Sequence, residues 1–292
     1  MHALIQGTIL GVLTGGVYAL MASGQTLIFG IMKVINLAQG AMVILSAYLA
    51  YQLFTSLGLD PLLAIPVTSA AMFGLGVGVQ ALFLRPLRAA DRSELSLLVT
   101  FAVALLIEGV MSVGWQTTYR SINTGYANAS WTVLGYQVTL VRLVACGLSL
   151  AALGVLFLLL HRTRFGRSVR ATVQNPDSAR LLGVRTETVS ALGFGLGAAT
   201  AGAAGSVYGL LYPFNSGSHY DLISRLLSIV VLGGLGSVGG AVLAALVVST
   251  SSAIVASTFS PAWSEMTFFV ILILVLLVRP QGLFGRVARG AI

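Results

Sequence analysis

Residues 3–32 read ALIQGTILGVLTGGVYALMASGQTLIFGIM, thirty positions without one charged side chain. A helix crosses a bilayer core about 30 Å thick with about 20 apolar residues. The run from Ala3 to Met32 is therefore long enough for one span with residues to spare. It is expected to divide into a helix over about 4–24 and a shorter helical piece over 26–36. A secretory leader would begin with basic residues and carry an apolar stretch of about 7–15. Met1-His2-Ala3 has no basic start and the stretch is too long, so it is read as a retained helix.

The rest of the chain extends this reading. Further apolar segments fall at about 41–57, 62–84, 95–118, 139–160, 188–212, 224–236, 241–258 and 263–278. Of the 292 residues, 57% are hydrophobic and 8% charged. An ordinary soluble domain carries roughly 25% charged residues. The composition excludes a soluble domain, and disorder needs the opposite balance. The expected fold is an all-α integral membrane protein, a polytopic helical bundle of about eight to ten segments forming a single domain over 1–292. Two segments, 26–36 and 224–236, are too short to span alone and suit the lining of a path.

Arginine placement orients the bundle. Arg85, Arg88 and Arg92 share one loop; Arg162, Arg164, Arg167, Arg170, Arg180 and Arg185 share the segment 161–187; Arg279, Arg286 and Arg289 share the tail. These are twelve of the sixteen basic residues. By the positive-inside rule all three places are cytoplasmic, the C-terminus included. The net charge of +8 then reflects orientation, with no nucleic acid required. Segment 119–138 falls outside, with Tyr119, Tyr126, Trp131 and Tyr136 as an interfacial belt. Asn128-Ala129-Ser130 matches a glycosylation pattern.

Two halves, about 1–94 and 188–292, share an order of features. Gly40 to Pro61 and Gly240 to Pro261 are both 21 residues, and both halves end in Arg-Pro, at Arg85-Pro86 and Arg279-Pro280. A weak parallel internal repeat is expected, and transporters are often built this way.

The chemistry is bounded by what the chain lacks. A phosphate-binding loop needs Gly-Lys-Ser/Thr after a glycine-rich stretch. The one lysine, Lys33, sits in Ile31-Met32-Lys33-Val34. No ATPase of its own can be built. Three His and one Cys, Cys146, show no zinc spacing, and no cofactor is expected. Gly233-Gly234-x-Gly236-x-x-Gly239-Gly240 resembles a dinucleotide fingerprint but has no strand–turn–helix unit around it. This turn and the Asn36–Gly40 turn are either gates in a path or tight helix connections. Glu108 is the one acidic residue near the centre of an expected span. It is a functional candidate by default or a hydrogen-bonded packing residue. Glycines four apart, Gly11/Gly15, Gly74/Gly78, Gly193/Gly197 and Gly205/Gly209, mark close helix contacts.

The segment 161–187 is the most informative. Asn175 suits an N-cap, Pro176 the first helical position, Asp177 the N-terminal dipole, and Gly183 the stop. A short helix over 176–182 is expected, either within a solvated basic loop or as a docking element. Gly166, Arg167, Arg170, Ala171, Asn175, Pro176, Ala179, Leu182 and Gly183 match in order the cytoplasmic coupling loop of branched-chain amino acid ABC transporter permeases. Two further stretches match, from Thr26 to Gly40 and from Val231 to Gly240. The chain resembles the LivH type of that family over nearly its whole length. The family commonly has His where this chain has Gln39.

The resemblance implies a permease in a bacterial inner membrane for branched-chain or other hydrophobic amino acids, not an enzyme. It implies separate cytoplasmic ATPases docking at 161–187, a second LivM-like permease, and an extracytoplasmic binding protein, with membrane lipid around. Asn36, Gln39, Gly40, Gly233, Gly234, Gly236 and Glu108 are the candidate path or gate residues. The alternatives are a permease for urea, amides or a sugar, or a stand-alone proton-coupled transporter using Glu108.

Overall fold

The computed structural model describes residues 2–87, 92–126, 129–133 and 136–284. Arg88, Arg286, Arg289 and Asn128 lie outside the described residues, as does the side chain of Arg92. In chain order the elements are α1 (His2–Met32), α2 (Gln39–Leu57), α3 (Pro61–Val79, continued by a π-helical turn, Gln80–Leu84) and α4 (Arg92–Trp115). A hairpin of β1 (Ser130–Val133) and β2 (Tyr136–Thr139) leads into α5 (Leu140–Arg162), α6 (Arg164–Gln174) and α7 (Pro176–Leu181). The chain closes with α8 (Thr186–Leu211), α9 (Ser218–Gly233), α10 (Val238–Thr258) and α11 (Pro261–Val278). Among the described residues eight helices are long and apolar enough to cross a membrane: α1 to α5, α8, α10 and α11. The all-α polytopic expectation stands.

Three boundaries differ from the sequence reading. The first segment is one unbroken helix, α1, and does not divide near residue 25. Gly24 marks a helix crossing: a Cβ there would lie 2.6 Å from the Gly197 carbonyl oxygen of α8. The short segment expected at 224–236 is α9, which starts six residues earlier, at Ser218. Its 16 residues extend about 24 Å at 1.5 Å each, less than a bilayer core. The segment expected as an outer connection, 119–138, carries the antiparallel hairpin, with Ser130 opposite Thr139 and Val133 opposite Tyr136. Of its aromatic residues, Tyr119 and Trp131 are exposed, whereas Tyr136 stacks on His2 and Tyr126 donates to Asp60.

Close packing supplies the attraction that the hydrophobic effect does not supply between helices in lipid. α1 lies along α10 with Gly11 against Thr250, where a Cβ would meet the Thr250 Cα at 2.5 Å. α8 is the most enclosed spanning helix, flanked by α1, α2 and α3. Ser46 of α2 donates to the Gly202 carbonyl at 2.5 Å, and Thr68 of α3 hydrogen-bonds Ser206 at 2.7 Å. Three of the four glycine pairs face such contacts, while Gly74 and Gly78 face open space. The helices after Asp60 and Ser260 start alike. Asp60 accepts from Leu62 N–H at 2.9 Å and Ser260 from Ala262 N–H at 3.3 Å, each with proline at the first helical position.

Candidate functional site

One end of the bundle carries an elbow, α5–α6–α7–α8. The sequence reading places one short helix in 161–187, and the structure has two. α6 is the addition: Thr163 caps it, accepting from Gly166 N–H at 3.1 Å. Its buried positions Gly166, Val169 and Thr172 recur every three residues, a helical signal embedded in arginines. Gly166 lies flat on α5, where a Cβ would collide with the Leu160 backbone. Arg170 donates to the Leu160 carbonyl, placing a cation at the C-terminal end of α5, where the helix dipole favours it. Val169 and Phe165 pack with Leu27 and Ile31 of α1, Leu156 of α5 and Val189 of α8. The elbow is thus welded to three spanning helices.

α7 has the capping that its residues suggest. Asn175 Oδ1 accepts from Asp177 and Ser178 N–H, both at 3.0 Å. Gly183, at φ +81°, ends it: Gly183 N–H donates to Arg180 and Val184 N–H to Ala179, a Schellman closure. Ala179 faces inward, 2% exposed, while Leu181 and Leu182 face outward at 90% and 82%. Arg167 is exposed, and Ala171 is half-buried on α6. Arg180 donates to Thr186 at 2.9 Å, and Arg85 pairs with Glu187 at 2.7 Å. Leu283 N–H donates to the Leu232 carbonyl at the end of α9. The basic loops around Arg85 and residues 161–187 therefore share this end.

A second constellation lies inside the bundle, where residues 33–38 leave helical geometry. Backbone polar groups at that depth need partners, and side chains supply them. Asn36 Oδ1 accepts from Ala38 N–H at 3.1 Å, and its amide donates to Gln39 Oε1 at 3.2 Å. Gln39 Nε2 donates to the Gly197 carbonyl at 3.1 Å. Thr100 of α4 accepts from Leu37 N–H at 3.3 Å and donates to the Ile35 carbonyl at 3.2 Å. Asn36 and Gln39 are fully buried. Gly40 then touches the first turn of α9, where a Cβ would stand 2.7 Å from the His219 carbonyl oxygen.

Glu108 reaches the same turn. It has a partner from another helix: Tyr220 Oη donates to Glu108 Oε2 at 2.8 Å. His219 Nδ1 lies 2.7 Å from the Ser216 carbonyl oxygen, so Nδ1 carries the hydrogen. Nε2 is buried without a hydrogen-bond partner and stands 3.9 Å from Glu108 Oε2. The side chain of Glu108 is 24% exposed, so the group meets the outside.

The structure thus gathers Asn36, Gln39, Gly40 and Glu108 around the start of α9. Gly233, Gly234 and Gly236 lie at the other end of α9, about 21 Å along its axis from His219. There they form a tight connection. A Cβ on Gly233 would meet Ala241 N at 2.6 Å, Gly234 and Gly236 have φ of +92° and +87°, and Ser237 caps α10. Sequence reasoning missed His219 and Tyr220. The polar run Asn215–Ser218 ahead of an apolar stretch marks a helix start. Nothing in the sequence ties Tyr220 to a carboxylate 112 residues earlier.

Eight helices of spanning length, a short helix that starts inside the bundle, and a rigid basic elbow at one end define a multi-pass membrane permease. The chain belongs to the family described as branched-chain amino acid transport system / permease component, which matches residues 7–276. It is 29% identical to the high-affinity branched-chain amino acid transport system permease protein BraD of Pseudomonas aeruginosa, over 97% of this chain and 96% of the relative. It is 28% identical to the corresponding LivH permease protein of Escherichia coli K12, over 94% of each chain. A probable LivH of Methanocaldococcus jannaschii is 27% identical over 91% and 88%. No solved structure matches the chain.

Proposed function

We propose that the chain is the translocation subunit of an ATP-driven importer for branched-chain and other hydrophobic amino acids. On this reading the elbow is cytoplasmic and docks an ATPase, a second permease completes the pore, and an extracytoplasmic binding protein delivers substrate. The inner membrane of a bacterium is its place, with the C-terminus inside. The observation that carries the reading is the pair Leu181–Leu182. Two leucines stand 90% and 82% exposed on a helix fixed at both ends, amid arginines. Apolar side chains presented this way on a polar surface mark a protein contact. The weld of Gly166 and Arg170 to α5 lets a push on α7 reach α1, α5 and α8. The amino acid specificity rests on the full-length relatives, whose names state branched-chain transport.

The test is reconstitution with the ATPases, the second permease and the binding protein, followed by leucine uptake. Uptake is expected to require ATP and to survive collapse of the pH gradient. Leu181→Asp with Leu182→Asp is expected to abolish ATPase co-purification while leaving membrane insertion and thermal midpoint unchanged. Uptake by the chain alone, driven by a pH gradient and lost in Glu108→Gln, would instead make it a proton-coupled transporter.

A further inference from the structure

Four basic residues fall outside the three basic loops: Lys33, Arg120, Arg142 and Arg225. Lys33 caps α1 and lies over Phe29, and Arg120 lies over Tyr51. The other two line one cavity of about 500 Å³, in the half of the bundle away from the elbow. That volume falls within the roughly 300–1,000 Å³ typical of small-molecule sites. Its walls come from α1, α5, α9, α10 and α11 and the end of α8, and it is open rather than sealed.

The charges in it do not balance. Arg225 is matched: it pairs with Glu265 at 3.1 Å and donates to Tyr18 Oη at 3.2 Å. Arg142, the third residue of α5 and half-buried, makes no ion pair or hydrogen bond among the described residues. Ser249 is 3% exposed, lines the same space, and has no partner for its hydroxyl. A half-buried guanidinium and a buried hydroxyl, neither with a partner among the described residues, leave hydrogen-bond donors on one cavity for a polar ligand. The lining also carries apolar side chains, Leu10, Ala253 and Phe268, among its hydroxyl groups. A cation, an unpartnered hydroxyl and apolar side chains around one cavity fit a small carboxylate with a short aliphatic body.

We propose that this cavity binds the carboxylate of a small aliphatic molecule through Arg142 and Ser249; on the function proposed above, that molecule is the transported amino acid. Arg142 carries the charge recognition, and Leu10 and Phe268 receive the aliphatic chain. The cavity is then a substrate station on the side opposite the ATPase.

The test uses the full chain in phosphatidylcholine nanodiscs, with Cys146→Ala removing its one thiol and Ala256→Cys placing a new one on the cavity lining, outside the proposed carboxylate contacts. The rate of modification by a small methanethiosulfonate is the readout. Leucine at roughly ten times its Kd is expected to slow modification about tenfold, in proportion to occupancy. Leucinamide, which lacks the carboxylate, is expected to leave the rate unchanged, and Arg142→Gln to remove the leucine protection. Protection that persists in Arg142→Gln overturns the proposal. So does protection by added phosphatidylglycerol with none by leucine, which would make the cavity a lipid site. Uptake of leucine by the assembled importer carrying the same cysteine variant separates the two readings. Intact uptake without protection rejects the cavity alone. Absent uptake by the unaltered importer, with protection by another small carboxylate, rejects the amino acid assignment and keeps the cavity.

Discussion

Gly40→Ala tests whether the start of α2 must touch the start of α9. A Cβ at position 40 would stand 2.7 Å from the His219 carbonyl oxygen, 3.1 Å from Ile223 N and 3.2 Å from Ile223 Cβ. Two of these atoms are backbone, so no side-chain rotation relieves the contact. Restoring an ordinary 3.4 Å separation moves α2 and α9 apart by about 0.7 Å, a small overpacking of the kind that costs about 1–3 kcal/mol. Alanine's better helix propensity offsets up to about 1 kcal/mol in a helix interior, and less at the second residue of a helix. The clash therefore wins, by about 1–2 kcal/mol. At roughly 2–4 °C per kcal/mol for chains of this order of size, the midpoint falls by about 2–8 °C. The shift also displaces His219 and Tyr220 from Glu108, so ATP-driven leucine uptake is expected to fall more than stability does. Detergent-solubilised protein followed by thermal unfolding, beside uptake in proteoliposomes, reads both. Gly154→Ala is the control, since a Cβ there meets nothing within 4 Å. A Gly40→Ala variant indistinguishable from Gly154→Ala in midpoint and uptake would refute the reasoning.

Further outcomes follow from single contacts. Gln39→Leu strands the Asn36 amide and takes one of two side-chain donors from the Gly197 carbonyl, which keeps Thr200, and is expected to destabilise by about 1–3 kcal/mol. Gln39→His, which keeps a donor, is expected to retain uptake, and thermal midpoints of the two variants check the order. Burial first, and the hydrogen bond to Asp60 second, push the Tyr126 phenol up to about 12 from 10.0. A raised folded value means that the Tyr126–Asp60 latch contributes fully below pH 10 and is lost as pH rises through about 12. The midpoint difference between wild type and Tyr126→Phe should therefore shrink across that window in a pH series. Lys33 holds φ +58° at the end of α1, where a residue with a Cβ costs roughly 1–2 kcal/mol. Lys33→Gly is expected to raise the thermal midpoint, and a lowered midpoint would show that its contact with Phe29 outweighs the strain.

Local chemistry made much of the chain legible. The uncharged run 3–32 and its successors specify membrane helices because hydrocarbon excludes charge, whatever the helices pack against. Asn175, Pro176 and Gly183 specify α7 because caps act within a few residues. α6 was hidden because its buried face uses Gly166, Val169 and Thr172, small or weakly apolar residues whose period is masked by three arginines. The unbroken course of α1 was not legible because an uncharged run of thirty residues suits one long helix or a long and a short one, and packing against α8 at Gly24 decides between them.

Only the tertiary structure decided what those elements do together. Glu108 gained a partner because α4 and the first turn of α9 meet. Ala179 turned inward and Leu181 and Leu182 outward because α6 fixes the rotation of α7. Gly233–Gly236 and Asn36–Gly40 parted because α9 holds them at opposite ends. Arg142 and Arg225, exceptions to the charge pattern, came to share one cavity. Caps and hydrophobic runs act along the chain, where the sequence alone determines them. Pairings across helices depend on which faces pack, and that is a property of the assembled bundle.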